Sequence, residues 1–379
     1  MRSGLIIFSC KMKKNKENVG YYNKFSLTFA ISVNIINQIE KHFCFVKPFV
    51  IMMRITIKKT IQYAFCLLTV LPAMAGNPKT TLSVQTYGYK GNMVYFDCVQ
   101  TPFIKQEFYS NEGEEHVYSF DTESPIVMLV NGRTQLFLQQ GDSLHVNLTY
   151  EGKQVNVSNI SGTNGAVSAN NLMQSVEEVR RNMRYRSQLL GCAALNITPQ
   201  SRINDSKTLL TRVQELIKKA ENISPEAATY ITAETEGSVY LSFMEYPVMY
   251  ANVRKVPVEK QEIGDYSRLM DGFAPRTDAM SLSSPEYVSM LMRYCFYRNE
   301  LKARQEGKTY VFPNEFEAMY GELAQFYDGA VRDAVLYNLI CNFIRGGKEV
   351  DRADAIIKDY KDKYNKNAFY AKVLDSLMQ

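Results

Sequence analysis

Short runs in which apolar and polar residues alternate fill the chain from residue 80 to Gly162: TLSVQTYGY, MVYFDCV, HVYSFDT, PIVMLV, QLFLQQ, LHVNLTY and QVNVSNI. Alternation puts every second side chain on one face of a strand. The breaks between runs carry turn residues: Lys90-Gly91-Asn92, Asn111-Glu112-Gly113, Asn131-Gly132, Gly141-Asp142 and Glu151-Gly152. About seven short strands at such spacing predict an antiparallel β-sandwich or open barrel.

After Gly162 and the small, polar stretch SGTNGAVSAN, apolar residues recur at helical spacing and the Gly/Asn turns thin out. Ser224-Pro225-Glu226 and Ser284-Pro285-Glu286 each offer a hydroxyl for the N-cap, a proline for the first helical position and an acid near the positive end of the helix dipole. A helix is predicted after each. From Gly329 onward, Val331, Val335, Leu339 and Phe343 step by four along one face until Gly346-Gly347 stops the run. Further helices are predicted near Asp351 and Asn367. No tetratricopeptide-like period of ~34 residues is present, so an irregular helical array is expected. The fold class is α+β: a β-sandwich domain over 76–163, a helical domain over 164–379, and SGTNGAVSAN as an exposed linker between them, the alternative being that the helices pack broadly on the sandwich's apolar face as one α+β unit.

The segment MRITIKKTIQYAFCLLTVLPAMAGNP, residues 53–78, fits neither pattern. It has a cationic start (Arg54, Lys58, Lys59), an apolar run from Tyr63 to Leu71, and small residues at Ala73 and Ala75 before Gly76. These are the parts of a secretory signal peptide over 53–75, with cleavage between Ala75 and Gly76. The run is shorter than the roughly 20 residues a membrane-spanning helix needs, so no stable membrane insertion is expected after cleavage. Cys66 lies inside the apolar run rather than at the cleavage point, which disfavours a lipoprotein. Residues 1–52 read either as a functional extension or as leader codons translated ahead of a true start at Met53 or Met52. A signal peptide works at a free N-terminus, which favours the second.

Removing residues 1–75 changes the charge. That stretch carries 11 of the 44 basic and 2 of the 39 acidic residues, leaving 33 basic and 37 acidic, a net −4. The whole-chain excess of +5 thus belongs to the leader. No basic body remains to hold a phosphate backbone, and nucleic-acid binding is excluded.

Candidate chemistry is sparse. His116 and His145 fall in predicted strands, where solvent-facing positions are expected rather than a metal site. QQGDSLHVNL brings Asp142, Ser143 and His145 close in sequence, but a catalytic triad is assembled from distant positions, and a turn followed by a strand explains the same letters. Cys98, Cys192, Cys295 and Cys341 include no Cys-x-x-Cys and no close pair, so no metal site is expected. Cys295 and Cys341 lie on predicted helices that can be neighbours and are a candidate disulfide; buried free thiols are the plainer reading. Tyr230, Tyr240, Phe243, Tyr246 and Tyr250, and Tyr287, Tyr294, Phe296 and Tyr297, can line a peptide or glycan groove or build a core without Trp, and the core is favoured. No catalytic residue, cofactor site or phosphate loop emerges.

The stretch LFLQQGDSLHVNL, followed by VNVSNISGTNG and an Asn-rich helix start, resembles the N-terminal domain of exported TlpA-like thiol-disulfide oxidoreductases of Bacteroidetes. The tail YDGAVRDAVLYNLI, IIKDYKDKY and AFYAKVLDSL is similar to the helical segment that precedes their thioredoxin-like domain. The resemblance implies a β-sandwich leading into helices. The redox chemistry of that family needs a Trp-Cys-x-x-Cys at a helix start; this chain has no Trp and no such motif, so no redox residue carries over. The expected function is an exported, non-enzymatic binding or interaction module without cofactors, whose partner is a periplasmic protein, peptide or glycan. The alternatives are an accessory or truncated member of a periplasmic thiol-disulfide system, or a periplasmic hydrolase or glycan-handling enzyme.

Overall fold

The computed structural model describes residues 79–378 apart from 101–104, 153, 184–196, 265–267 and 348–349. The expected leader, the signal peptide and its Ala75/Gly76 cleavage site, and Cys192 lie outside the described residues.

The chain is α+β, with eight described strands preceding the helices. They are β1 (Thr80–Tyr87), β2 (Met93–Cys98), β3 (Lys105–Tyr109), β4 (Glu115–Phe120), β5 (Ile126–Val130), β6 (Thr134–Leu138), β7 (Ser143–Glu151) and β8 (Gln154–Gly162). Seven correspond to the alternating runs; β3, KQEFY, is too short and too charged to show in the pattern. A front sheet has the order β4-β1-β7-β8 and a back sheet the order β3-β2-β5-β6. All pairings are antiparallel except β1 with β7, which is parallel. The two sheets share one core: Leu82, Val84, Val146 and Leu148 from the front meet Val94, Phe96, Met128 and Leu136 from the back.

The turns follow their residue chemistry. Asn131 and Gly132 both take positive φ, 49° and 64°, as the tight β5–β6 hairpin requires. Asn131 is also buried, accepting from the Tyr95 N–H at 3.0 Å and donating to the Tyr150 hydroxyl at 2.6 Å. Gly162 closes β8 at φ 138°, where a Cβ would lie 1.9 Å from the Ser143 carbonyl oxygen. Only glycine fits that corner.

The helices are α1 (Asn164–Asn182), α2 (Pro199–Lys219), α3 (Pro225–Arg254), α4 (Ala279–Leu282), α5 (Pro285–Gln305), α6 (Phe316–Phe326), α7 (Gly329–Arg345), α8 (Ala353–Lys363) and α9 (Ala368–Leu377). The two Ser-Pro-Glu signals act as expected: Ser224 accepts from the Ala227 N–H and Ser284 from the Tyr287 N–H. The Gly329 helix ends at Arg345, and Asn367 caps α9 through the Phe369 N–H. Most of the two aromatic runs are core: Tyr230, Phe243, Tyr246, Tyr287, Tyr294, Phe296 and Tyr297 are buried. Among the described residues no helix is long and apolar enough to cross a membrane.

The expected exposed linker is not one. SGTNGAVSAN forms the last residues of β8 and the first turns of α1, with Ala166, Ala169 and Asn170 buried. Asn170 accepts from the Phe137 N–H at 2.9 Å and donates to the Phe137 carbonyl at 2.8 Å. Its amide thus takes the place of a neighbouring strand at the edge of β6 and satisfies groups that an open edge leaves bare. Val127 and Phe137, on the outer face of the back sheet, belong to the same apolar cluster as Tyr230 and Ala227 of α3. Residues Asn77–Gln379 form one compact unit.

Candidate functional site

The groups with the plainest catalytic potential are engaged elsewhere. His145 stands beside Ser83 in the parallel β1–β7 register, and its Nδ1 lies 2.8 Å from the Ser83 hydroxyl. Glu115 Oε1 is 3.4 Å from the same nitrogen and accepts from Ser83, while Nε2 faces Asn147 Oδ1 at 3.1 Å. In a nucleophilic triad the carboxylate holds the ring from the side opposite the serine. Here it sits on the serine side and competes with the imidazole for the hydroxyl proton. The cluster lies on the open outer face of the front sheet, where backbone N–H groups serve the ladder rather than an oxyanion. Ser143, the neighbour expected from sequence, plays no part in it. His116, expected to face solvent, points inward and is buried, with its ring 5.4 Å from that of Phe108 and no hydrogen-bond partner for Nε2.

The thiols are quiet. Cys98, Cys295 and Cys341 are free and buried, so the Cys295–Cys341 bond is not formed in the structure. Burial, then the Glu322 carboxylate, pushes the Cys295 thiol up to about 12. Burial pushes Cys341 up to about 11. Both shifts oppose the thiolate that redox exchange requires. Among the described residues no group of three or more His, Cys, Asp or Glu is placed to hold a metal.

A cleft of about 1220 Å³ where the sandwich meets the helices is a different kind of place. Its floor is one face of α7, where Ala330, Asp333, Tyr337, Cys341 and Arg345 recur every three or four residues. Its sandwich side is the end of β2, the end of β4 with Tyr118 and Phe120, and the turn into β5 with Asp121 and Glu123. Its third side is the start of α9, with Lys366, Phe369 and Lys372.

Buried hydrogen bonds fix these sides relative to one another. The Asp333 carboxylate accepts from the Tyr360 hydroxyl, from Asn365 Nδ2 at 3.2 Å, and from the N–H groups of Lys366 and Asn367 at 2.9 and 3.0 Å. It is consumed in holding the entry to α9. Tyr370 stacks on Tyr337 with ring centroids 4.0 Å apart, and the Tyr337 hydroxyl donates to the Gln100 carbonyl at 3.2 Å. That chain of contacts runs from α9 through α7 to β2. Gln100, also in the cleft lining, accepts at Oε1 from the Val127 N–H at 3.0 Å, while its Nε2 is buried without a partner among the described residues.

The exposed lining is left open. Phe369 is 45% exposed, and Asp121, Glu123, Lys366 and Lys372 are exposed with no ion pair among the described residues. Charges around the other hollow are matched. Around a smaller hollow of about 430 Å³ lined by Arg293, Glu300, Arg304 and Lys308, Arg293 pairs with Glu245 at 3.0 Å, Arg304 with Glu300 at 3.2 Å and Lys308 with Glu306 at 2.7 Å. The cleft is therefore the better candidate for a ligand.

Compared with known proteins, the chain matches no family model, no curated protein and no solved structure. The cleft has to be read from its own residues.

None of its open residues was singled out in the sequence, though one signal is there. In α9, buried Val373 and Leu374 and partly buried Tyr370 and Leu377 already make an apolar stripe at helical spacing. Phe369 is an aromatic residue in excess of that stripe, three positions from a lysine on either side. The matching acids of the β4–β5 turn carry no such signal, because a polar connection is what any two successive strands show.

Proposed function

We propose that the protein is an exported, non-enzymatic binding module whose ligand site is the cleft between the sandwich and helices α7 and α9. In this reading it corresponds to the non-catalytic N-terminal part of TlpA-like oxidoreductases. The observation that carries it is the state of the cleft's side chains. An exposed aromatic ring and charges of both signs, unpaired among the described residues, line a cleft larger than the 300–1,000 Å³ typical of small-ligand sites, in a molecule whose described thiols are buried. Export rests on the cationic start, apolar run and Ala-x-Ala ending of residues 53–75. Intact-mass analysis of the exported protein is expected to show Gly76 as the first residue; a mature species that keeps residues 1–52 contradicts that part.

Binding is tested with an environment-sensitive fluorophore on Asn342→Cys, an exposed position in the cleft lining, and on Glu151→Cys, an exposed position on the sandwich outside it. Synthetic hexapeptides and soluble oligosaccharides form the panel. A saturable signal from the label at position 342, and none from that at 151, is the expected result. No response to any compound, or equal responses at both positions, contradicts the reading.

A further inference from the structure

Besides Asp333 and Arg345 of the α7 floor, the lining of the cleft carries charge on two further elements. Asp121 and Glu123 come from the β4–β5 turn, Lys366 and Lys372 from the start of α9, and no ion pair joins the two sets. Each set is exposed, so the cleft offers an acidic patch and a basic patch that do not neutralise each other. From Ala330 to Arg345 the α7 floor runs about 22 Å, at about 1.5 Å per helical residue. An extended chain rises about 3.3 Å per residue, so the floor matches about six or seven residues. The lining also holds the rings of Phe369, Phe120 and Tyr118.

Resting on the cleft as ligand site, we infer that its ligand is an extended oligopeptide of about six residues carrying charge of both signs. Its cationic end lies against Asp121 and Glu123 and its carboxylate end against Lys366 and Lys372. An apolar side chain in its middle packs on Phe369. A neutral oligosaccharide satisfies neither patch, and an acidic one satisfies only the lysines. A peptide supplies both charges and the apolar surface together.

The test titrates the purified protein by calorimetry with three probes: the free-ended hexapeptide Lys-Ala-Phe-Ala-Ala-Glu, its end-blocked counterpart with Gln at both ends, and cellohexaose. The free-ended peptide is expected to bind at least tenfold more tightly than the other two. The double substitution Lys366→Glu with Lys372→Glu is expected to weaken it five- to tenfold, and Asp121→Asn with Glu123→Gln by about the same. All four side chains are exposed, so the melting temperature should stay put. Equal binding of the blocked peptide, or preference for cellohexaose, with either abolished by Phe369→Ala, overturns the dipolar-peptide inference and leaves the cleft as the site. Binding of any probe that ignores both the charge variants and Phe369→Ala, or no binding at all, overturns the inference and the cleft together.

Discussion

The front and back sheets have matching inner faces and opposite outer ones. Outward from the front sheet point Ser83, Glu115, His145 and Asn147, a polar network open to solvent. Outward from the back sheet point Val127 and Phe137, at 0% and 1% exposure, under helices α1 and α3. The sequences differ accordingly. Strand β7, SLHVNLTYE, alternates cleanly, whereas β5, IVMLV, is apolar at every position. An unbroken apolar run is what a strand buried on both faces requires. The contrast teaches that the helices complete the sandwich on one side and leave the other as ordinary surface.

The sharpest way to break the comparison is to hollow out the covered face. Phe137→Ala removes a ring lying 6.2 Å from that of Tyr230 and is expected to cost about 3–5 kcal/mol. Chemical denaturation should show one transition moved as a whole. A normal transition for the helices beside a lost one for the sandwich would mean the covered face couples nothing.

Alkaline titration sharpens the contrast from the helical side. Tyr246, Tyr287, Tyr297 and Tyr370 are pushed up to about 12 from 10.0, chiefly by burial. Cys295 and Cys341 rise to about 12 and about 11 from 9.0. Above the ordinary values the unfolded chain gives up these protons while the folded chain keeps them. The unfolded state then binds fewer protons, and stability falls as pH rises. The melting temperature is expected to be unaffected by these groups below about pH 9 and to drop progressively between about 9 and 12. Near-ultraviolet circular dichroism of the tyrosines follows it; a stability that rises across this window contradicts the burial of these groups.

Next in size is Asn170→Ala, which strips the edge of β6 of its partner and leaves the Phe137 N–H and carbonyl bare in a dry setting. A loss of about 2 kcal/mol is expected, with faster hydrogen exchange along β6. Exchange unchanged in β6 would show that another group covers the edge.

The smallest effect belongs to the open face. Ser83→Ala breaks the bonds to His145 and Glu115, yet both partners are reachable by water, and a change within about 1 kcal/mol is expected. A loss as large as that of Phe137→Ala would erase the distinction between the two sheets.

What the sequence disclosed follows from range. Seven of the eight described strands, the Ser224 and Ser284 caps and the Gly346-Gly347 stop are local signals, set by residues a few positions apart. The apolar run of β5 carries the signature of a covering layer, while the alternation of its neighbours is also that of an independent sandwich. The role of Asn170 was hidden, because an Asn-rich stretch with Gly reads as a linker until its partner, 33 positions away, is known. The cleft was least legible. Its sides come from β2, the β4–β5 turn, α7 and α9, and only folding brings Tyr337 to Gln100 and Tyr370 to Tyr337.

The most direct test of the cleft as the working surface is hydrogen exchange measured with and without the free-ended hexapeptide at saturating concentration. Added protection is expected in two stretches far apart in sequence, the β4–β5 turn at 121–124 and the opening of α9 at 368–371, with none along the outer face of β1 and β7. Protection confined to that outer face, or no protection in either stretch, would contradict the account.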